Sequence, residues 1–453
     1  MIRRVVSAST VGTALEWYDF MLFGTAAALV FDEVFFPGHD PMVGTLSALA
    51  TFAVGFFARP FGGLLFGHYG DRIGRKKVLV ITLCLMAVAS TLMGLIPDYD
   101  SIGVAAPALL VVLRILQGLG AGAEYAGGAL MAAEHAPPGK RGLYAAIPPT
   151  GNGVGVILAA AVFTPFTLLP DDQFTSWGWR IPFLLSILIL PVGLYIRMRV
   201  AETPAFDQAR EQGERTPVPA LDLARNQPGT LLRCLLANIG PNVATYVPSV
   251  YALTYIEDDL GMAASVGTVG LLIANSVKVV TLPLSGALSD RWGRKPVFAS
   301  GAVLCALLAF PFFWLLDTGH SWVVWIAMTL MLTFANDLML GAQAAMLPEQ
   351  FDTPVRYTGV AVSREFAAAI AGGTLPFIAA ALTALTGGTW ALSTLMIFMC
   401  ALSLIGVAGL RDGRELSFVE EGPRLEKEIA SPRRPAYPPG GERRLPPPNH
   451  SRP

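Results

Sequence analysis

Charge is what this chain has least of. Only 14% of its 453 residues are Asp, Glu, Lys or Arg, against about 25% in a soluble protein. That deficit excludes an ordinary water-soluble domain and points to lipid as the solvent. The 53% hydrophobic content and mean hydropathy of +0.54 agree. Cysteine is scarce too: Cys84, Cys234, Cys305 and Cys400 all lie in apolar stretches without metal-type spacing, so they read as small hydrophobes in helices. Five scattered histidines (His39, His68, His135, His320, His450) form no HExxH pattern, and no metal is expected. There is no Walker A sequence, so this chain is not expected to consume ATP, and no nucleophile–base set suggests an enzyme. No cofactor is expected, and a net charge of −1 gives no reason to expect nucleic acid. Gly118-Leu119-Gly120-Ala121-Gly122 lies inside an apolar run with no strand before it, so it reads as helix packing rather than a dinucleotide loop. A cleavable leader is not expected, because the first apolar run is a full span carrying Glu16 and Asp19.

Long apolar runs are what the chain has instead. Twelve stretches of membrane-spanning length fall at roughly 10–31, 42–68, 78–97, 104–133, 142–169, 180–200, 229–256, 265–288, 297–316, 321–347, 357–385 and 389–410. The lipid bilayer is therefore an expected partner. The connections sort by charge. Those near 32–41, 98–103, 170–176, 257–264, 317–320 and 386–388 contain no Lys or Arg, whereas the alternate ones hold Arg72 to Lys77, Lys140 and Arg141, Arg197 to Arg225, Arg291 to Lys295, and Arg356. The positive-inside rule puts the basic set in the cytoplasm, with both termini inside a multi-pass plasma (inner) membrane protein. The expected organisation is an N-terminal six-helix bundle over 1–200 and a cytoplasmic loop over 201–228. A C-terminal six-helix bundle over 229–410 and a disordered Pro/Arg-rich cytoplasmic tail over 411–453 complete it.

Two motifs are written twice. Gly67-His68-Tyr69-Gly70-Asp71-Arg72-Ile73-Gly74-Arg75-Lys76-Lys77 returns in the second half as Gly286-Ala287-Leu288-Ser289-Asp290-Arg291-Trp292-Gly293-Arg294-Lys295. Glu134 with Arg141 returns, at nearly the same distance along the chain, as Glu349 with Arg356. Two motif pairs in nearly one register argue for duplicated halves, a known transporter plan. Gly70 and Gly74 allow close backbone approach. Asp71 can cap or pair at a helix end, and Arg75 can meet an acid of its own half. Asp290 and Arg294 repeat this, and with Arg72, Arg291, Glu134, Arg141, Glu349 and Arg356 they form the expected cytoplasmic gate. The bland alternative is that these cations only set orientation.

These residues resemble the major facilitator superfamily. Further stretches are similar to its metabolite:proton symporter subfamily: Glu16-Trp17-Tyr18-Asp19-Phe20, Arg59-Pro60-Phe61-Gly62-Gly63, Arg114-Ile115-Leu116-Gln117-Gly118 with Gly122-Ala123-Glu124-Tyr125, Trp179-Arg180-Ile181-Pro182-Phe183 and Glu202-Thr203-Pro204-Ala205-Phe206. The resemblance implies an all-α membrane protein of twelve transmembrane helices in two pseudo-symmetric six-helix bundles, working by alternating access. It implies proton-coupled uptake of a small metabolite such as shikimate, α-ketoglutarate, citrate, proline or betaine. The chain departs from the pattern at Pro148-Pro149-Thr150-Gly151-Asn152, at Arg364-Glu365 in the eleventh helix, and in a tail without heptads.

Charges inside membrane helices cost about 2.5–3.5 kcal/mol each on insertion scales, so they need a partner, a wet cavity or a task. Here they are Glu16, Asp19, Arg59, Arg114, Glu124, Lys278, Asp337, Arg364 and Glu365. Glu16 and Asp19 share a helix face. Since the superfamily's first and fourth helices line the cavity, Asp19 is expected to face Arg114 and carry the proton, with Glu124 as the competing site. A permanent structural pair is the alternative. Arg59, Arg114 and Lys278 are the expected anion partners, because a guanidinium matches a carboxylate through its two-pronged fork, and Arg59 is also a gate candidate. Asn152, Asn242, Tyr246, Asn336 and Asp337 complete the expected substrate site. The expected partners are a small carboxylate and protons. One chain holds both halves, so a monomer is expected to function. An uncoupled facilitator, an efflux carrier and a non-transporting sensor remain as alternatives.

Overall fold

A computed structural model describes residues 1–37, 41–213 and 216–413, which belong to one unit. The tail expected to be disordered falls, from residue 414 on, outside the described residues. Among the described residues the chain is helical throughout, with no strand.

Twelve long helices form where the apolar runs predict them. The first four are α1 (Ile2–Leu29), α2 (Pro41–Ile73), α3 (Arg75–Gly94) and α4 (Ala105–His135). Next come α5 (Arg141–Ala145, then Gly151–Thr167 after a 3-10 turn) and α6 (Arg180–Met198). The second half opens with α7 (Pro228–Tyr246, extended by π turns to Asp259), α8 (Ala264–Trp292) and α9 (Arg294–Leu316). It ends with α10 (Ser321–Thr329 and Asn336–Met346 around a π turn), α11 (Arg356–Ala368 and Leu375–Thr386 around another) and α12 (Trp390–Ala408). Eight of these are long and apolar enough to cross a membrane by length and composition alone. Among the others, α1, α7 and α11 carry the polar groups Glu16, Asp19, Asn238, Asn242, Arg364 and Glu365.

The two halves pack alike. In the first, α4 lies against α2 and α3, α3 against α6, and α1 against α5 and α6. In the second, α10 lies against α8 and α9, α9 against α12, and α7 against α11 and α12. The halves meet along two crossings, α2 with α11 and α5 with α8. Small residues make the tight contacts, as packing without a hydrophobic drive requires. A side chain at Gly118 would run into the Gly55 carbonyl, one at Gly122 into the Arg59 carbonyl, and one at Gly62 into Leu119. The glycine run of α4 is thus a packing surface for α2. Gly122→Leu should cut the yield of monodisperse protein several-fold, since overpacking a tight contact costs roughly 1–3 kcal/mol or more. Size-exclusion chromatography of the solubilised chain checks this.

Candidate functional site

Each half closes on the other by lending a helix cap. The residue before α11 is Val355 and the residue before α5 is Lys140, and neither side chain caps its own helix. The first N–H groups of a helix need an acceptor. Asp71, at the end of α2, supplies it to α11: its carboxylate accepts from the Tyr357 N–H (3.0 Å), the Thr358 N–H (2.9 Å) and the Thr358 hydroxyl (2.8 Å). Asp290, at the end of α8, accepts from the Gly142 and Leu143 N–H groups of α5 at 2.8 and 2.9 Å. Around Asp71, Arg75 lies 3.8 Å from it and 3.7 Å from Glu134, and donates to the Thr353 carbonyl of the other half. Arg356 reaches back to Glu134 at 2.8 Å. Around Asp290, Arg294 pairs with it (2.7 Å) and with Glu349 (3.0 Å), and Arg141 lies in the field of Glu349. Gly70 faces the Tyr357 ring so closely that any side chain there would overlap it. Gly74 has φ +110°, and a Cβ on it would meet Glu202. Glu202, beyond α6, in turn accepts from the Arg75 and Lys76 N–H groups and caps α3. Burial pushes its carboxyl above the usual range. Arg72 and Arg291 are exposed, and Arg72 contacts His68 of its own helix.

Higher along the α2–α11 crossing the contact becomes ionic. Arg59 Nε donates to Glu365 Oε2 at 2.8 Å, and Arg59 Nη2 lies 3.0 Å from Glu16 Oε1. Arg364 Nη1 donates to Glu365 Oε1 at 2.9 Å, while its guanidinium sits 3.4 Å from the centre of the Tyr125 ring. Glu16, Arg59, Glu365 and Arg364 thus alternate in sign across both halves. The pseudo-symmetric partner of Arg59 is Lys278, which stands to it in sequence as Gly286 stands to Gly67. It pairs within its own half with Asp337 at 3.7 Å, and Thr281 donates to the same carboxylate.

Between these crossings lies a cavity of about 80 Å³. The first half contributes Thr13, Trp17, Tyr125 and Asn152, and the second contributes Asn238, Asn242, Thr245, Tyr246, Lys278, Gln343 and Arg364. The π turn Leu330–Ala335 ends where Asn336 and Asp337 begin, and such turns re-aim side chains at functional positions. Gln343 gives its amide hydrogen to Asn238 and keeps its Oε1 without a hydrogen bond among the described residues, as does the Tyr125 hydroxyl. Two cations, several amides and two phenols suit a small polar solute.

The structure gathers the expected residues differently from the sequence pattern. Asn152, Asn242, Tyr246 and Lys278 line the cavity as expected. Asn336 and Asp337 stand behind it: Asn336 donates to Thr245, and Asp337 holds Lys278. Arg114 does not line it; its guanidinium is held by Gln117 and stacks over Phe20 and Phe23 at 4.3 and 4.2 Å. Asp19 accepts from Ser186 of α6 at 2.7 Å, in a crevice lined by Leu83 and Ala87 of α3. The Asp19 carboxylate thus takes a hydroxyl as its hydrogen-bond partner and lies in the field of Arg114, whose own guanidinium contacts include an amide and two rings. Glu124 is paired with Arg197 of α6, a residue that reads in sequence as a loop cation. Arg364 and Glu365, in sequence a departure from the pattern and two of the charges inside membrane helices, join the cavity to the interface.

Two bundles closed on one side around a polar midway cavity define a membrane solute transporter. A family model described as Major Facilitator Superfamily matches residues 10–373 and again 250–436. The chain is 36% identical over 418 residues to the shikimate transporter of Escherichia coli K12, covering 91% of this chain and 95% of that one. It is 37% identical over 420 residues, with the same coverage, to the inner membrane metabolite transport protein YhjE of the same organism. Among solved structures, the proton:xylose symporter XylE superposes with a TM-score of 0.73 at 17% identity, over 90% of this chain and 94% of that one. The chain belongs to the Major Facilitator Superfamily, and it is a transporter rather than an enzyme.

Proposed function

We propose that the chain is a proton-coupled importer of a small organic anion, acting as a monomer in the plasma membrane with both termini in the cytoplasm. The observation that carries this is the charge of the cavity wall. Lys278 and Arg364 each face the cavity with an acid bound behind them, Asp337 and Glu365. The empty site is thus neutral. An anion entering alone would leave one unmatched negative charge in a poorly solvated place, which is costly. A proton entering with it restores neutrality, so anion and proton are favoured together. The relative named for shikimate, itself a small acid, supports the same substrate class. The alternating basic and acidic connections support the orientation, and the lent caps of α5 and α11 support a gate that closes the cytoplasmic side.

Uptake into proteoliposomes tests this directly. Labelled shikimate, α-ketoglutarate, citrate, an aromatic acid, proline and betaine are each offered with an inward proton gradient, with and without a protonophore. Accumulation of one acid, collapsed by the protonophore, is the expected result. Equilibration without accumulation would make the chain an uncoupled facilitator. Accumulation of proline or betaine alone would refute the anion assignment.

A further inference from the structure

Arg364 and Glu365 have no counterpart in the duplicated half. The positions that stand to them as Glu134 stands to Glu349 are Pro149 and Thr150. The cation at the equivalent point of the crossing helix is present in both halves, as Arg59 and Lys278. Among the described residues, only at the α2–α11 crossing does this cation meet an acid of the opposite half. That asymmetry strings four charges from one side of the interface to the other.

The four are not held equally. Both oxygens of Glu365 receive hydrogen bonds from cations, at 2.8 Å from Arg59 and 2.9 Å from Arg364. Glu16 shares Arg59 as its near cation, with Arg364 acting on it from farther away: its Oε1 is 3.0 Å from Arg59 but makes no hydrogen bond among the described residues. It is 3% exposed. Arg364, at the other end of the string, is the member that lines the cavity, with its side chain 22% exposed. One end of the string is open to a solute and the other is a buried, loosely held carboxylate.

We propose that this Glu16–Arg59–Glu365–Arg364 string couples the two ligands, so that an anion bound at Arg364 drives a proton onto Glu16. This rests on the reading of the chain as a proton symporter. An anion at Arg364 draws that guanidinium away from Glu365. Glu365 then relies on Arg59, and Arg59 turns from Glu16. A Glu16 oxygen takes a proton and becomes neutral; no other bond is made or broken. The string, neutral when empty, is neutral again with both ligands bound. Coupling of this kind is reciprocal, so a proton on Glu16 strengthens anion binding by the same factor. The charged groups facing Glu16 are Arg59 from α2, Glu124 from α4, and Glu365 and Arg364 from α11. Glu124 carries its own counter-charge, Arg197 of α6. Tyr125 of α4 and Tyr246 of α7 face Glu365 and Arg364. Glu16 is therefore the acid whose neutralising partner is shared.

The test needs neither transport nor an identified solute. Infrared spectra of the full chain reconstituted in lipid, recorded against pH, show the carbonyl stretch of protonated carboxyls. The band lost in Glu16→Gln identifies Glu16. Arg364→Gln mimics the drawn-away guanidinium and should move the midpoint of that band up by about one pH unit, a typical effect of losing a nearby opposite charge. Glu365→Gln leaves Arg59 to Glu16 alone and should move it down by about as much. Arg364→Lys should titrate close to the parent. The opposite signs distinguish coupling from general disturbance, and Glu365→Gln still decides the matter if Arg364→Gln fails to reconstitute. A midpoint unmoved by either variant, or moved the same way by both, overturns the proposal. Those outcomes are read whether or not the uptake experiment succeeds, so failure of the coupling and failure of the symport reading remain separate results.

Discussion

If the lent caps form the proposed gate, an Asp71→Ala chain should rest open on their side of the cavity. The Asp71 carboxylate is the cap that α11 lacks, and it makes three hydrogen bonds into the other half. Loss of a side-chain cap costs about 0.5–2 kcal/mol, and loss of a negative charge at a helix N-terminus about 0.3–1 kcal/mol more. If the crossing stayed shut, the Tyr357 and Thr358 N–H groups would be buried without acceptors, at about 1–3 kcal/mol each. Opening hands them to water, so the whole loss falls on the closed state. A shift of about 2–3 kcal/mol changes the equilibrium about 30- to 160-fold. Misfolding is not the expected outcome, because Arg75 keeps Glu134 as a partner when Asp71 is gone. Spin labels at Lys140 and Trp292, both exposed and on opposite halves, read the result by pulsed distance measurement in a cysteine-free background. A longer distance, minor in the parent, should dominate in Asp71→Ala and more so with Asp290→Ala added. An unchanged distribution in both would reduce the repeated motif to a determinant of orientation.

The duplicated motif made Asp71 and Asp290 legible, but not their partners. Repetition identified Asp71 and Asp290 as special, and their place at helix ends suggested capping. It did not show whose helix they cap, because the Asp71–Tyr357 contact spans 286 positions of sequence. The signal that could have shown it is the lack of a capping side chain at Val355 and Lys140. The twelve helices were legible because length and apolarity are local properties. The pairing of Glu16 with Arg59 was not, because helical periodicity fixes which residues share a face but not how one helix is rotated against the next. Arg197 shows another limit. Read as the first cation of the cytoplasmic connection, it is 5% exposed and bound to Glu124: a helix end judged from charge alone cannot say where a long side chain turns. Arg364 and Glu365 stood out for being charged where apolar residues are expected, and of the two Arg364 lines the cavity. Burial of charge is tolerated where function or pairing compensates it.

Lys278 gives the second large effect, and its pairing decides how it must be tested. Lys278→Gln should abolish anion uptake, but it also leaves Asp337 buried, 1% exposed, beside a neutral partner. Breaking a buried pair from one side costs about 3–5 kcal/mol, enough to unfold the chain and mimic loss of a substrate contact. Lys278→Gln with Asp337→Asn removes both charges at once. Thr281, which donates to Asp337, can donate equally to the amide oxygen of an asparagine. The double variant should therefore recover the parent's folded yield and thermal transition. If Lys278 serves the cavity, uptake in that recovered chain should remain reduced more than tenfold, because a charged hydrogen bond to the solute is worth about 1.5–3 kcal/mol. The proteoliposome assay and a thermal scan on the same preparation separate the two contributions. Parental uptake in the double variant would show that Lys278 and Asp337 only hold α8 to α10, and it would leave Arg364 as the cation that selects the substrate.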